Sequence, residues 1–409
     1  MSIVEVRLVN EYDDIPARAL RIKHVKGSLE TPVYAVSVTD IDQKLIKRED
    51  LKGVVEVYIP LRLEKLEDMN RALELEQQFE YRVNSYMRKA PYDQLIVVVP
   101  LVEGVQGREL SVDDASSYGK YIAELVVNSR ADIVCTPIFY RIAEKYIDIL
   151  VERFLDTMTA YSIGVALSIP YTSRETREKL INIYLNTVNR NSRALLNFLC
   201  VDYNSSNPIY RYTLHNYVLG YVKELQEEID EPVAIYGVNV KYNRVAKKYD
   251  ELPARDLVSY FVQLDIFGGN HKRRPIPGEV AERLRAGESI WKQKLLNRNR
   301  YTYISLDRMT KELELAIPEA KLVEKLIAEG FNRSYVEKIV KHINIRNILS
   351  EVDILRPLFS GHGWQHFENP TQYLNSKEIV KIDNALLKNL KSYTEILKPK
   401  TKKLDKYLN

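Results

Sequence analysis

Two stretches of the chain end apolar runs in groups able to bind or react. Residues 232–244, PVAIYGVNVKYNR, pass from a β-rich apolar core into Asn239, Tyr242 and Asn243. Residues 261–274, FVQLDIFGGNHKRR, pass into Gly268, Gly269, Asn270 and His271, then Lys272, Arg273 and Arg274. The amides can pair with a base edge and the tyrosine ring can stack on a base. The cations can neutralise phosphates, and two adjacent glycines let a backbone approach a ligand closely. A third stretch, LCVDYNSSN (199–207), ends an apolar run in Asp202. That carboxylate can hold a base edge, act as a general base or bind a metal; equally, it can close an Asx turn or cap the next helix. Asp265, within otherwise apolar VQLDIFGG, reads as a buried structural aspartate, because an unpaired carboxylate there would cost several kcal/mol. The bland alternative for Gly268 to His271 is a strand-to-helix turn, for Lys272 to Arg274 a solvated loop, and for Asn239 to Asn243 ordinary loop polarity.

What positions these groups is a strand–helix rhythm. QLIVVVPL (94–101), ADIVCTPIF (131–139), SIGVALSIP (162–170), LLNFLCVDY (195–203), PVAIYGVNV (232–240) and YFVQLDIFGG (260–269) are apolar runs 30–40 residues apart. Helical spacing separates most of them, at 115–128, 140–158, 173–190, 208–228 and near 254–260. Continuous apolar strands alternating with helices predict a parallel sheet covered on both faces. Six such units favour a closed (β/α)8 barrel of the TIM type over a doubly wound open sheet, and no GxGxxG follows a strand. In such a barrel the carboxyl ends of the strands share one face, so Asp202, Asn239 and Asn270 are expected together there.

The flanks differ. Residues 1–60 hold β-branched stretches with Gly27-Ser28 between two of them, which predicts an antiparallel β cap with a hairpin. Residues 61–300 are assigned to the barrel and 301–409 to a C-terminal helical region with a basic tail. Residues 271–300 carry nine Lys/Arg against three Glu, a local excess that points to a phosphate-bearing partner. Residues 318–344 read as a helical hairpin broken at Gly330, with a DNA-reading helix-turn-helix as the alternative. His362 and His366 lie in SGHGWQHFENP, which lacks the ligand pattern of a zinc site and reads as a tryptophan anchor.

Composition sets the bounds. The chain has 409 residues, 45% hydrophobic, with net charge +4, too little to mark a nucleic-acid binder without the local distribution. Twenty-eight Tyr, 28% charged residues and few Gly point to a heat-adapted protein. The two cysteines, Cys135 and Cys200, sit in apolar runs and read as small buried residues. No apolar run approaches the ~18 residues of a membrane span, and the start lacks a signal-like apolar segment; a cytoplasmic protein with no membrane contact is expected. No cofactor and no metal are expected, and assembly is open between monomer and homodimer.

RALRIKHVKGSLETPVYAVSVTD (18–40) resembles the opening of the tRNA-guanine transglycosylases, a hairpin of the form G-x-L-x-T-x-H-G-x-I-x-T-P-x-F-M-P-V-G-T. The matching residues are His24, Gly27, Leu29, Thr31, Pro32, Val33, Tyr34 and Val38. PVAIYGVN and LPARDLVSYFVQLDIFGGNHKRR resemble the family's late segment, with Gly237, Asp256, Leu257, Val258, Asp265 and Phe267 in step. The resemblance covers about 60 residues directly. It implies a β/α barrel with an N-terminal β cap, a guanine or 7-deazaguanine base as ligand, and tRNA or DNA as partner. It also places Lys272, Arg273 and Arg274 near the nucleic-acid backbone.

The chain departs from the family where the chemistry lies. The family's nucleophilic Asp, directly after the Phe of D-x-F-D, is Gly268 here. Its second essential Asp falls near VVVPLVEG (97–104), where Glu103 is the nearest acid. The zinc ligands and the base-reading glycines have no counterpart. Asp202 and Glu103 are therefore the candidate catalytic carboxylates, with Asn239, Tyr242, Gly268, Gly269 and Asn270 as base-binding residues. His271, Lys272, Arg273 and Arg274 are the expected nucleic-acid contacts. Three functions remain open: a divergent base-exchanging glycosyltransferase, an inactive nucleic-acid-binding accessory subunit, and an unrelated barrel enzyme acting on a phosphorylated metabolite.

Overall fold

The computed structural model describes residues 4–41, 51, 53–63, 77, 80–81, 83–85, 88–89, 94–104, 110–129, 131–161, 163–190, 194–242, 249–271 and 289–397. Its first three strands, β1 (Glu5–Glu11), β2 (Arg18–His24) and β3 (Gly27–Glu30), form an antiparallel sheet. The chain then enters β4 (Val33–Ser37), β5 (Val54–Arg62) and β6 (Leu95–Glu103), followed by the interrupted strand β7 (Ile133–Cys135) and β8 (Ile138–Tyr140). β9 (Gly164–Ile169), β10 (Ala194–Ser206) and β11 (Ala234–Val240) follow. β12 (Glu251–Pro253) lies outside the barrel, and β13 (Ile266–Gly269) completes it.

Each barrel strand pairs in parallel with the next, and β13 returns to β4 through Ile266↔Val33 and Phe267↔Tyr34. With β7 and β8 counted as one strand, this is a closed eight-stranded TIM-like barrel, as the strand–helix rhythm predicts. Helices α1 (Val112–Val127), α2 (Ile147–Met158), α3 (Arg174–Arg190) and α4 (Tyr212–Ile229) alternate with the strands. Between β11 and β13 the expected helix is only a four-residue turn, Arg255–Val258, continued by a 3-10 segment.

The boundary at residue 60 needs correction. β4 lies wholly within 1–60 and β5 nearly so, yet these are the first two barrel strands, and the cap ends with β3. The inward side chains explain this: Val33, Ala35, Val54 and Tyr58 share one buried cluster with Leu95, Val97, Cys135, Phe198, Cys200, Tyr236 and Ile266. Leu20 and Ile22 of β2 join the same cluster, so the cap inserts its apolar face into the barrel.

One ion pair locks the cap in place. Arg18 donates to both oxygens of Asp265, at 3.0 and 2.7 Å, and to the carbonyl of Val233 at 2.7 Å. Asp265 also accepts from the backbone N of Ile235 at 2.7 Å. Both partners are buried, so Asp265 is the structural aspartate expected for that run.

After the barrel, β14 (Lys294–Asn297) and β15 (Thr302–Ser305) pair with β12 in a small antiparallel sheet. Helices α5 (Pro318–Ala328) and α6 (Arg333–Phe359) form the expected hairpin, with Asn332 capping α6 by accepting from the N–H of Tyr335 at 2.9 Å. The end of α6 reaches the cap: Asn10 Nδ2 donates to Phe359 O at 3.0 Å and Tyr12 Oη to Leu358 O at 2.6 Å. A last helix, α7 (Asn384–Leu397), packs on α4. In the SGHGWQHFENP segment Trp364 and Phe367 close a backbone bridge and His366 lies against Phe367.

Two buried titratable groups in this frame oppose each other with pH. His215 accepts from Tyr203 Oη at Nδ1 (2.6 Å) and donates from Nε2 to Val262 O (2.6 Å), a pattern that needs the neutral ring. Burial pulls its pKa from 6.5 to about 4. The unfolded chain binds that proton first, so stability falls as pH drops from about 6.5 to about 4. Asp256, accepting from Tyr303 Oη at 2.7 Å, is pushed from 3.8 up to about 6 by burial. Here the folded chain binds the proton first, so stability falls as pH rises through the same interval. Each contributes on the order of 3 kcal/mol. Urea midpoints at pH 4.5 and 6.5 should therefore diverge: Asp256→Asn loses more stability in acid than the wild type, and His215→Gln loses less. Equal slopes in the two variants would contradict this assignment.

Candidate functional site

Along β5 the side chains of Val54, Glu56 and Tyr58 alternate inward, which places a carboxylate inside the barrel. Glu56 is completely buried. One of its oxygens accepts from Tyr236 Oη of β11. The other lies 2.6 Å from His271 Nε2, just beyond the end of β13. A methyl group at Gly268 would sit 2.2 Å from Glu56 Oε2, so the carboxylate occupies the space that a side chain at 268 would need. Gly268 is thus a matter of room for Glu56.

The His271 ring is held on two further sides. It stacks on Tyr58, with centroids 4.7 Å apart and 30° between planes. Its backbone N donates to Asn239 Oδ1 at 3.1 Å. Asn239 Nδ2 donates to Tyr58 Oη at 3.1 Å and to Asp202 Oδ1 at 3.0 Å. Asp202 also accepts from the backbone N of Asn204 at 3.0 Å, an Asx-type contact. Its local turn role and its place in the cluster therefore coexist. Ser205 Oγ donates to Asn270 Oδ1 at 2.7 Å, tying β10 to the segment after β13. Asn239, Asn204 and Ser205 all have left-handed backbone (φ 55, 49 and 59), which asparagine tolerates better than most residues and which breaks the ladder at the ends of β10 and β11.

The expected gathering at the barrel mouth thus occurs: Asp202, Asn239, Asn270 and His271 meet at the carboxyl ends of β10, β11 and β13. Glu56, Tyr58 and Tyr236 belong to the same network, and sequence reasoning missed them. The phenols of Tyr58 and Tyr236 have their pKa values pushed well up, first by burial and then by Asp202 and Glu56 respectively. Both remain hydrogen-bond donors at neutral pH. Beneath them Cys135 and Cys200 line the interior, and burial pushes the Cys135 thiol up, consistent with inert packing.

Other expected site residues lie elsewhere. Glu103 ends β6 at the rim, with Arg62 Nε at 3.4 Å and Arg141 Nη1 at 4.0 Å, and none of these contacts belongs to the Asp202 cluster. An arginine-flanked rim carboxylate is a poorer acid–base candidate than Glu56. Tyr242 packs one ring face on Tyr303 of β15, 4.0 Å between centroids, so that face is unavailable to a base; burial raises its pKa to about 12. Gly269 lies beside Tyr34, where a methyl group would sit 3.3 Å from Oη. Lys272, Arg273, Arg274 and Asn243 lie outside the described residues. His271, expected to contact nucleic acid, has its Nε2 2.6 Å from Glu56 Oε1 without hydrogen-bond alignment, and Nδ1 is its other ring nitrogen.

Among the described residues no group of three His, Cys, Asp or Glu could hold a metal ion, and no helix is long and apolar enough to cross a membrane. No family model matches the chain, and no curated protein matches it either.

Proposed function

We propose that the chain is a tRNA-guanine transglycosylase-like protein that holds a guanine or 7-deazaguanine base in the barrel mouth and exchanges it in tRNA or DNA. The supporting observation is the Glu56–His271 pair, joined through Asn239 to Asp202 at the carboxyl face. A carboxylate set 2.6 Å from one imidazole nitrogen leaves the other available to give or take a proton, as in acid–base pairs of nucleophilic enzymes. Asp202, fixed in place by Asn239, sets a carboxylate acceptor beside the mouth for the N–H groups of a purine edge. In the exchange, the bond between ribose C1′ and the leaving base breaks and His271 protonates that base. The incoming base returns a proton to His271 as its own bond to C1′ forms, so protons and electron pairs balance.

Gly268 favours a second reading, an accessory subunit that binds nucleic acid without exchanging a base, because the family's nucleophile is missing there. One assay separates the two. The protein is incubated with labelled guanine or 7-deazaguanine base and bulk tRNA or DNA, and label in the polymer is counted. The exchange reading expects incorporation into one polymer. Salt-sensitive binding with no incorporation would support the accessory reading.

A further inference from the structure

We infer that a phosphate site lies on the barrel rim between the loops after β9 and β10, built by Arg177 and Arg211, and that it takes a backbone phosphodiester of the nucleic acid entering the mouth. The inference rests on the proposed function for the identity of that partner, but the phosphate chemistry stands on the geometry alone.

Both loops follow the carboxyl ends of their strands and therefore open on the same face as the Asp202 cluster. Arg211 Nη1 donates to Tyr171 Oη at 2.5 Å, and its guanidinium lies 4.0 Å from the centre of that ring. Arg177 donates through Nη1 to the carbonyl of Thr172, and its guanidinium lies 5.0 Å from the centre of the Tyr217 ring. Aromatic faces and a loop carbonyl thus fix both planes without neutralising them.

Neither guanidinium forms an ion pair with a carboxylate among the described residues, and the Nε of each is buried without a hydrogen-bond partner there. The acid acting on Arg177 is Glu144, whose oxygens are taken by the backbone N of Ser173 at 3.0 Å and by Thr176 Oγ1 at 2.7 Å. Each guanidinium thus keeps a positive charge that no carboxylate of the described residues pairs with, and a tetrahedral phosphate matches the planar fork of such a group. Arg211 also stands at the amino end of α4, which no side chain caps, so the helix end adds its positive pole. The loop is held from behind: Asn207 Nδ2 donates to the carbonyls of Lys241 and Tyr242 at 2.8 and 3.1 Å. The site is therefore preformed.

The test compares the full chain with Arg177→Gln/Arg211→Gln and with Lys120→Gln on α1 as a distant control. Fluorescence anisotropy of a labelled 12-nucleotide DNA or RNA strand is followed from 50 to 300 mM KCl, and binding of inorganic phosphate is measured separately. Unchanged thermal midpoints establish that the variants fold. The expected result is at least tenfold weaker strand binding in the double variant, with a slope of log affinity against log salt reduced by about one, and no change for Lys120→Gln. The double lysine variant should recover part of the loss. Loss of inorganic phosphate binding with unchanged strand binding would overturn the backbone assignment and point to a small phosphorylated ligand. Unchanged binding of both ligands would overturn the site altogether while leaving base exchange intact. Failure of the wild type itself to bind either strand would instead remove the nucleic-acid reading.

Discussion

Glu56→Gln should leave the barrel folded and lower base incorporation by about three to four orders of magnitude, the usual scale when a carboxylate orienting a catalytic histidine is made neutral. The amide is isosteric and Tyr236 can still donate to its oxygen, so the hydrogen bond that fixes the side chain survives. What is lost is the carboxylate oxygen 2.6 Å from His271 Nε2, and with it the group that sits against the imidazole. Gly268→Ala should reach a similar end by crowding. Its methyl would fall 2.2 Å from Glu56 Oε2, so the carboxylate must move off the histidine, with a stability cost of about 1–3 kcal/mol for the overpacking. Rate and thermal midpoint measured together separate the two effects. If Glu56→Gln incorporates base at the wild-type rate, Glu56 has no part in the chemistry.

Arg18→Ala should destabilise the fold by about 3–5 kcal/mol, because it leaves Asp265 buried without its counter-charge. Burial already pushes the Asp265 pKa up, with Arg18 pulling against it. Removing Arg18 also opens the fork that ties the cap to Val233 and to the entry of β13. The double change Arg18→Met/Asp265→Leu should recover much of the loss, since an apolar pair needs no desolvated charge. Guanidinium unfolding measures both. Equal midpoints for Arg18→Ala and wild type would show that the cap is held by its apolar face, Leu20 and Ile22, alone.

The barrel was legible because most of its strands are continuous apolar runs that only burial on both faces explains. Its first two strands were not. Val33–Ser37 and Val54–Arg62 sit next to a true antiparallel hairpin and share its β-branched composition, so local pattern cannot assign them to a different sheet. That misplacement hid Glu56. A lone acid two residues before Tyr58, in GVVEVYIPL, carries a signal only if the run is a barrel strand, where both positions point inward. Asp202, Asn239, Asn270 and His271 were legible because polar residues that end buried strands must lie at one rim. The stacking of Tyr242 on Tyr303 was not legible, because Tyr303 comes from a later sheet and sequence-local polarity holds no record of such a contact. Arg18 and Asp265 are 247 residues apart, and only the closed barrel brings them together.

The central claim is that Asp202, positioned by Asn239 beside the Glu56–His271 pair, holds a purine base at the barrel mouth. Calorimetric titration of guanine, and of a 7-deazaguanine, into the wild type and into Asn239→Ala tests it most directly. The account predicts saturable binding of at least one base by the wild type and at least tenfold weaker binding by the variant, because Asn239 fixes Asp202, Tyr58 and His271. Equal affinity in the two proteins, or no binding of either base by the wild type, would contradict it.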